Sequence, residues 1–200
     1  MTEAEIYDFS FTAVSLRITE MGLVAKAIRD KTEIDYVNDL GAGKSSTGRR
    51  RLTEFKKRIS VLTKEEIEIL IHGNFVAKRQ IAFISVCKTY AIIKDFAIEV
   101  LREKLLAYDY QISEGDYISF YRRKVDLHEK IELLSITTEK KVRQVIFRIL
   151  AEAGFINDTK ERVIQPQIVD IDVANSVLLD NANWLKVLLL SDMDIQKYKS

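Results

Sequence analysis

Apolar residues recur every three or four positions along most of this 200-residue chain, a spacing that predicts helices almost throughout. Val14, Ile18, Met21 or Leu23, Ala25 and Ile28 form the inward stripe of a helix running from a cap at Ser10 to Thr12 to about Asp30. A second helix, over residues 46–62 and capped by Ser46 or Thr47, places Leu52, Phe55, Ile59 and Leu62 in one narrow sector. Thr63 and Glu66 make a capping-box pattern that opens a short helix over 64–72, with Gly73 as its stop. Asn74 then caps a segment reaching about Ala107. There Ile81, Ile84, Ile92, Phe96, Val100 and Leu105 are too many for a solvated helix, and a break is expected near Asp95.

Farther on, Ser113 to Asp116 opens a helix carrying Tyr117, Phe120, Tyr121 and Leu127 and ending near Ser135. Ser135 to Thr138 starts the next, over 137–153, with Val142, Val145, Ile146, Ile149 and Ala153 on one face and Gly154 as its stop. Phe155 and Ile156, a polar turn at 157–161, and the run from Val163 to Pro166 read as a small β-hairpin, with the proline at an edge. Helix followed by hairpin is the order of a winged helix. One or two helices, around 171–180 and 182–190, close the chain. The expected fold class is therefore mostly α: a helical bundle with a C-terminal winged-helix-like helix plus short β-hairpin. An N-terminal helical region (1–110) carries the basic helix, and a C-terminal region (111–200) either follows it or packs with it as one domain.

Composition narrows the function. A 47% hydrophobic content suffices for a core, and the single cysteine, Cys87, excludes a disulfide framework and a Cys-rich zinc site. A reducing cytoplasm fits that usage. The N-terminus lacks a charged-then-apolar signal pattern, and the run Val187 to Leu190 falls far below the ~18 to 20 residues of a membrane span, so no membrane partner is expected. His72 and His128 stand alone at surface or capping positions. Cys87 reads as a small buried hydrophobe, and the aromatic residues over 108–121 as core rather than as a base-stacking platform. No acid–base pair, metal set or cofactor motif stands out, and no small-molecule substrate is implied.

Charge changes the picture more. The net charge is only +1, yet residues 41–60 hold seven basic side chains and one acidic, while residues 1–40 hold four basic and eight acidic. The window begins GAGKSSTGRRR (41–51), whose GKS resembles the end of a P-loop. A P-loop needs a glycine five residues before Gly43, where this chain has Asn38, and a buried strand before that, where it has an acidic, broken stretch. Nucleotide hydrolysis is therefore disfavoured, although small donors and free amides at a helix start still suit a phosphate.

On the 46–62 helix, Arg50 and Lys57 point away from the apolar sector, flanked by Arg49 and Lys56 on one side and Arg51 and Arg58 on the other. Glu54 can neutralise one of them at most. Such a surface is either a solvated charged face or a phosphate-backbone site, and its one-sidedness favours the second. Lys44, Ser45 and Ser46 extend it. A second candidate surface, opposite the apolar stripe of helix 137–153, holds Lys140, Gln144 and Arg148 with Lys141 and Arg143 at the edges. It suits a groove-facing element, and equally a plain surface helix with Phe147 packed on a neighbour.

Taken together, these local patterns resemble one family. They are YDFSFTA (7–13) with Leu16, Arg17 and Glu20; Lys44, Ser45 and Ser46 with Arg49, Arg50 and FKKR (55–58); Arg79 and Gln80 through Lys88 to Tyr90; Asp95, Phe96 and EVLREK (99–104); and Thr137 and Thr138 with KKVRQ (140–144) and EAG (152–154). In order and spacing they resemble the BrxA family, the small component of bacteriophage-exclusion (BREX) defence systems. The resemblance covers residues 7–168 and leaves the 172–200 tail unmatched. It implies an all-helical protein, NusB-like in part, that binds double-stranded DNA with weak sequence preference beside other BREX components. It brings no active site; only the basic positions transfer. Family members have been labelled inner-membrane proteins, and this sequence offers no span to support that. Phosphate contacts by about six cations would give a slope of log K against log salt of about −5. A protein-interaction adaptor and NusB-like RNA binding are the alternatives.

Overall fold

Local caps decide where several helices begin. Thr63 Oγ1 accepts the Glu66 N–H at 3.2 Å while the Glu66 carboxylate accepts the Thr63 N–H at 2.9 Å. Asn74 Oδ1 takes the Ala77 N–H at 3.0 Å, and Ser135 Oγ the Thr138 N–H at 3.2 Å. The computed structural model describes residues 7–127 and 134–199. Its helices are α1 (Ile18–Asp30), α2 (Ser45–Ile59), α3 (Lys64–His72), α4 (Phe75–Thr89), and α5 (Ala91–Phe96), which runs through a π-helical stretch (Ala97–Arg102) into α6 (Glu103–Leu106). Then come α7 (Glu114–Leu127), α8 (Ile136–Glu152), α9 (Ile171–Asp180) and α10 (Asp192–Lys199). Short 3-10 segments lie at Ser10–Ala13 and Ala182–Leu188, and a π turn at Tyr36–Leu40.

α4 is the central post. Every residue from Gln80 to Cys87 is buried, and the helix is packed against α1, α2, α3, α9 and the 182–188 segment. Gln80 is polar in this core, and both ends of its amide are satisfied: Nε2 donates to the Ile168 carbonyl at 2.8 Å, and Oε1 accepts the Asp170 N–H at 3.0 Å. That pair ties the chain leading into α9 to the central helix. On the other side Phe96 meets Tyr117, Phe120 and Phe147 edge-on, with centroids 5.0–5.9 Å apart, joining α5, α7 and α8. Buried apolar residues of the 1–110 and 111–200 regions belong to one cluster.

Several expectations need correction. The first helix does not start at Ser10: a 3-10 turn is followed by an irregular strap at 14–17, and α1 begins only at Ile18. The strap's polar groups are claimed from outside, as described below, and cannot join a helical ladder. Of the alternatives Met21 and Leu23 it is Met21 that faces inward, while Ile28, expected inward, is exposed. The long apolar segment breaks at Tyr90, not Asp95; Tyr90 leaves helical geometry (φ −129°, ψ 100°), and its hydroxyl donates to Glu54. The closing region contains α10, which the periodicity did not reveal.

The β-hairpin expected over 155–166, and with it the winged-helix-like unit, is not formed: among the described residues there is no strand, only isolated bridges pairing Ile156 with Ile164 and Gln111 with Val163. The turn's own side chains explain this. Asn157 Oδ1 accepts the N–H groups of Asp158 and Val163, and Asp158 Oδ1 those of Lys160 and Glu161, which bends the chain before a ladder can extend. Pro166 then supplies no donor beyond Gln165.

Candidate nucleic-acid interface

α2 is held by its apolar side, with Phe55 and Ile59 buried and Leu52 packed on the core. Its N-cap is Lys44, not Ser46 or Thr47, and no side chain caps its first turn, which also lacks acidic residues. The N–H groups at the helix start are thus left to solvent or to an anion. The preceding 36–40 residues form a π turn, not the buried strand of a P-loop. The glycines around Lys44 serve the backbone: a Cβ on Gly48 would lie 1.9 Å from the Tyr36 carbonyl oxygen, whereas Gly43 has open space beside it and sits at a left-handed φ of +82°.

The structure divides the expected cations into three groups. Lys44, Arg49, Arg50 and Lys56 are exposed, and among the described residues none of them has an ion-pair partner. Arg49 lies 6.0 Å from the Tyr36 ring centre; hydrogen bonds from Arg49 and then Ser45 hold the Tyr36 phenol below the ordinary tyrosine pKa. Arg51 and Lys57 are partly engaged, Arg51 donating to the Leu40 carbonyl at 2.6 Å and Lys57 to Asp8. Arg58 is a correction: expected on the exposed flank, it is 0% exposed. Its Nε donates to Glu54 at 2.9 Å, Nη1 to the Ser15 carbonyl at 2.7 Å and Nη2 to that of Val14 at 2.8 Å. These bonds account for its burial as a charge and for the strap's shape.

Glu54, which faces these groups, is itself buried and accepts from Arg58, Tyr90 and Ser10. Burial and then the Glu54 carboxylate push the Tyr90 phenol well above its ordinary pKa, so it remains a donor. Above this network opens a cavity of about 750 Å³ lined by Ser10, Ala13, Ser45, Ser46, Arg49, Arg50, Thr53, Glu54 and Lys57. Five of the sequence-predicted residues meet there: Ser45, Ser46, Arg49, Arg50 and Lys57.

The α8 surface resolves similarly. Lys140, Lys141, Gln144 and Arg148 are exposed, whereas Arg143 is half-buried, donates to Glu114 and lies 5.5 Å from the Tyr117 ring centre. Phe147 is core. Lys140, Arg143, Gln144 and Arg148 line a recess of about 330 Å³ whose other wall includes Thr159 and Arg162. Sequence reasoning missed those two. They lie in the 157–161 turn and just after it, and only the return of that turn over α8 brings them near.

Other candidates fall where their chemistry suggests. Cys87 is buried, with its thiol pKa raised by that burial, and His72 sits exposed beside Arg29 and Glu68. His128 lies outside the described residues. Among the described residues no group of three or more His, Cys, Asp or Glu could hold a metal ion, and no helix is long and apolar enough to cross a membrane.

Comparison with known proteins places this arrangement. The BREX protein BrxA of Bacillus cereus (strain H3081.97) is 29% identical over 121 residues, 60% of this chain, and that of Escherichia coli O9:H4 (strain HS) is 23% identical over 128 residues, 64% of this chain. Each match spans 60% of the relative's own length. An uncharacterized protein from Magnetospirillum magneticum, known from its crystal structure, superposes with a TM-score of 0.78 at 16% identity, covering 92% of this chain and 97% of that one, and shares its fold. The sequence profile of the BrxA family matches residues 5–179, extending past the stretch that the local motifs cover, and the chain belongs to the BrxA family.

Proposed function

We propose that the chain is a non-catalytic, double-stranded-DNA-binding component of a BREX phage-defence system, gripping the phosphate backbone with weak sequence preference. The BREX assignment draws on the names of the two relatives. The observation that carries DNA binding is the exposed set Lys44, Arg49 and Arg50 at the uncapped start of α2, whose two arginines line the cavity, with Lys56 exposed in the last turn of the same helix. Cations without carboxylate partners keep their full charge for a polyanion, and phosphate contacts position a protein without selecting bases. With Arg58 withdrawn and Arg51 and Lys57 engaged, about four phosphates are neutralised at α2. The slope of log K against log salt then becomes about −4 rather than the −5 of a fully exposed face.

The test is a salt titration of binding to random-sequence duplex, with a matched RNA duplex as competitor. Steep salt dependence and preference for DNA support the reading. No binding at 50 mM salt removes it, and preference for RNA transfers the site to an A-form partner.

A second reading, an adaptor for other BREX components, is favoured by an apolar groove of about 390 Å³ between α1 and the α3–α4 corner. Leu23, Leu70, Ile71 and Phe75 line it, and Phe75 is 67% exposed. Co-purification that survives Phe75→Ser would count against it.

A further inference from the structure

The recess between α8 and the 157–162 turn differs from a solvated basic face in how its arginines are held. Glu114 accepts from Arg143 and, at 3.5 Å, from Arg162, so one carboxylate orients two guanidinium groups. Each guanidinium also rests against an aromatic ring: Arg162 is 4.3 Å from the Phe147 ring centre and Arg143 is 5.5 Å from that of Tyr117. Arg162 is fixed further by its Nε bond to the Thr159 carbonyl at 3.0 Å and by a left-handed backbone, φ +57°, held by the bond from Ile112 N–H to its carbonyl. Two planar forks are thus set in place before any ligand arrives, the condition under which arginine binds phosphate oxygens bidentately.

Charge then selects the ligand. Lys140, Arg143, Arg148 and Arg162 line the recess, and Glu114 is the one carboxylate paired with any of them among the described residues. A backbone diester brings one negative charge and must leave the recess on both sides, whereas a phosphate monoester brings about two and ends there. We propose that this recess is a binding site for a phosphate monoester dianion, with Arg143 and Arg162 as its forks, Lys140 and Arg148 as additional charge, and Thr159 as a hydroxyl donor. The 5′-phosphate at a DNA strand end and a free mononucleotide share this chemistry. The site rests on the DNA reading for the first source and is independent of it for the second.

The full chain is titrated calorimetrically with blunt duplexes of one sequence bearing either 5′-phosphate or 5′-hydroxyl ends, and separately with AMP and inorganic phosphate. The phosphorylated duplex is expected to bind about tenfold tighter, equivalent to about 1.4 kcal/mol. Arg162→Gln should erase that preference, and Arg148→Gln, on the exposed face, should reduce it, while Arg50→Gln weakens both duplexes equally. Binding of AMP or phosphate that Arg162→Gln abolishes, with neither duplex bound, keeps the site and removes the DNA reading. Equal affinity for both duplex ends together with no binding of AMP or phosphate overturns the proposal, as does binding unchanged in both Arg162→Gln and Arg148→Gln.

Discussion

Arg58 and Glu54, one helical turn apart on α2, form an ion pair with the arginine 0% and the glutamate 4% exposed, Nε lying 2.9 Å from Oε1. Because the arginine also satisfies two backbone carbonyls of the strap, its loss leaves an uncompensated carboxylate and two orphaned acceptors. Arg58→Ala is expected to lower stability by about 3–5 kcal/mol in urea unfolding. Arg58→Lys, which keeps the charge but not the fork, should fall between it and the wild type. A loss below about 1 kcal/mol for the alanine variant would mean that the network is ornamental.

Asp8 engages Lys57 across the lip of the cavity. Partial burial alone pushes its carboxyl pKa up, but hydrogen bonds from Lys57 and the Ser10 N–H, with the charge of Lys57, bring it below the usual 3.8. A depressed acid contributes stability above its unfolded-state pKa and loses it as pH falls through the folded value. The stability difference between wild type and Asp8→Asn should therefore be constant above about pH 5 and close below about pH 4. The same variant frees Lys57, so its DNA affinity should rise and its salt slope steepen by about one.

Lys44 and Arg50 are exposed and unpaired among the described residues. Changing both to alanine should shallow the salt slope by about two while leaving the circular dichroism melting curve in place. An unchanged slope would detach the α2 surface from DNA.

Gly48 allows α2 to touch the Tyr36 turn. Gly48→Ala puts a methyl 1.9 Å from a backbone oxygen, which no rotamer relieves. A loss of about 1–3 kcal/mol is expected in chemical unfolding. DNA affinity should drop as well, because Arg49 is oriented by Tyr36.

What was legible in the chain was what neighbours decide. The Thr63–Glu66 capping box and the Asn74 and Ser135 caps are local bargains between residues three apart, and each was found where the pattern placed it. The inward sector of Phe55 and Ile59 was equally clear. Arg58 was not, because it stands at the border of that sector, about 60° from Phe55 and about 100° from Ile59 on the helix wheel. Whether that flank meets water or protein is decided by carbonyls of Val14 and Ser15, more than forty positions away. The side chain at the Tyr90 break likewise finds its partner, Glu54, on another helix. Phe155, Ile156, Val163 and Ile164 do come back beside one another, but polar side chains in the turn, not the apolar alternation, determine how far they pair.

The strap at 14–17 has no regular structure of its own, yet it is gripped from two directions. Arg58 of α2 takes the Val14 and Ser15 carbonyls, and Glu152 at the end of α8 accepts the Ser15 hydroxyl at 2.7 Å and the Arg17 N–H at 3.1 Å. It works as a mortise into which two tenons are driven, each bearing one of the charged surfaces. Slackening either joint would leave the two surfaces registered only through the shared apolar core, which has no directional contacts of its own.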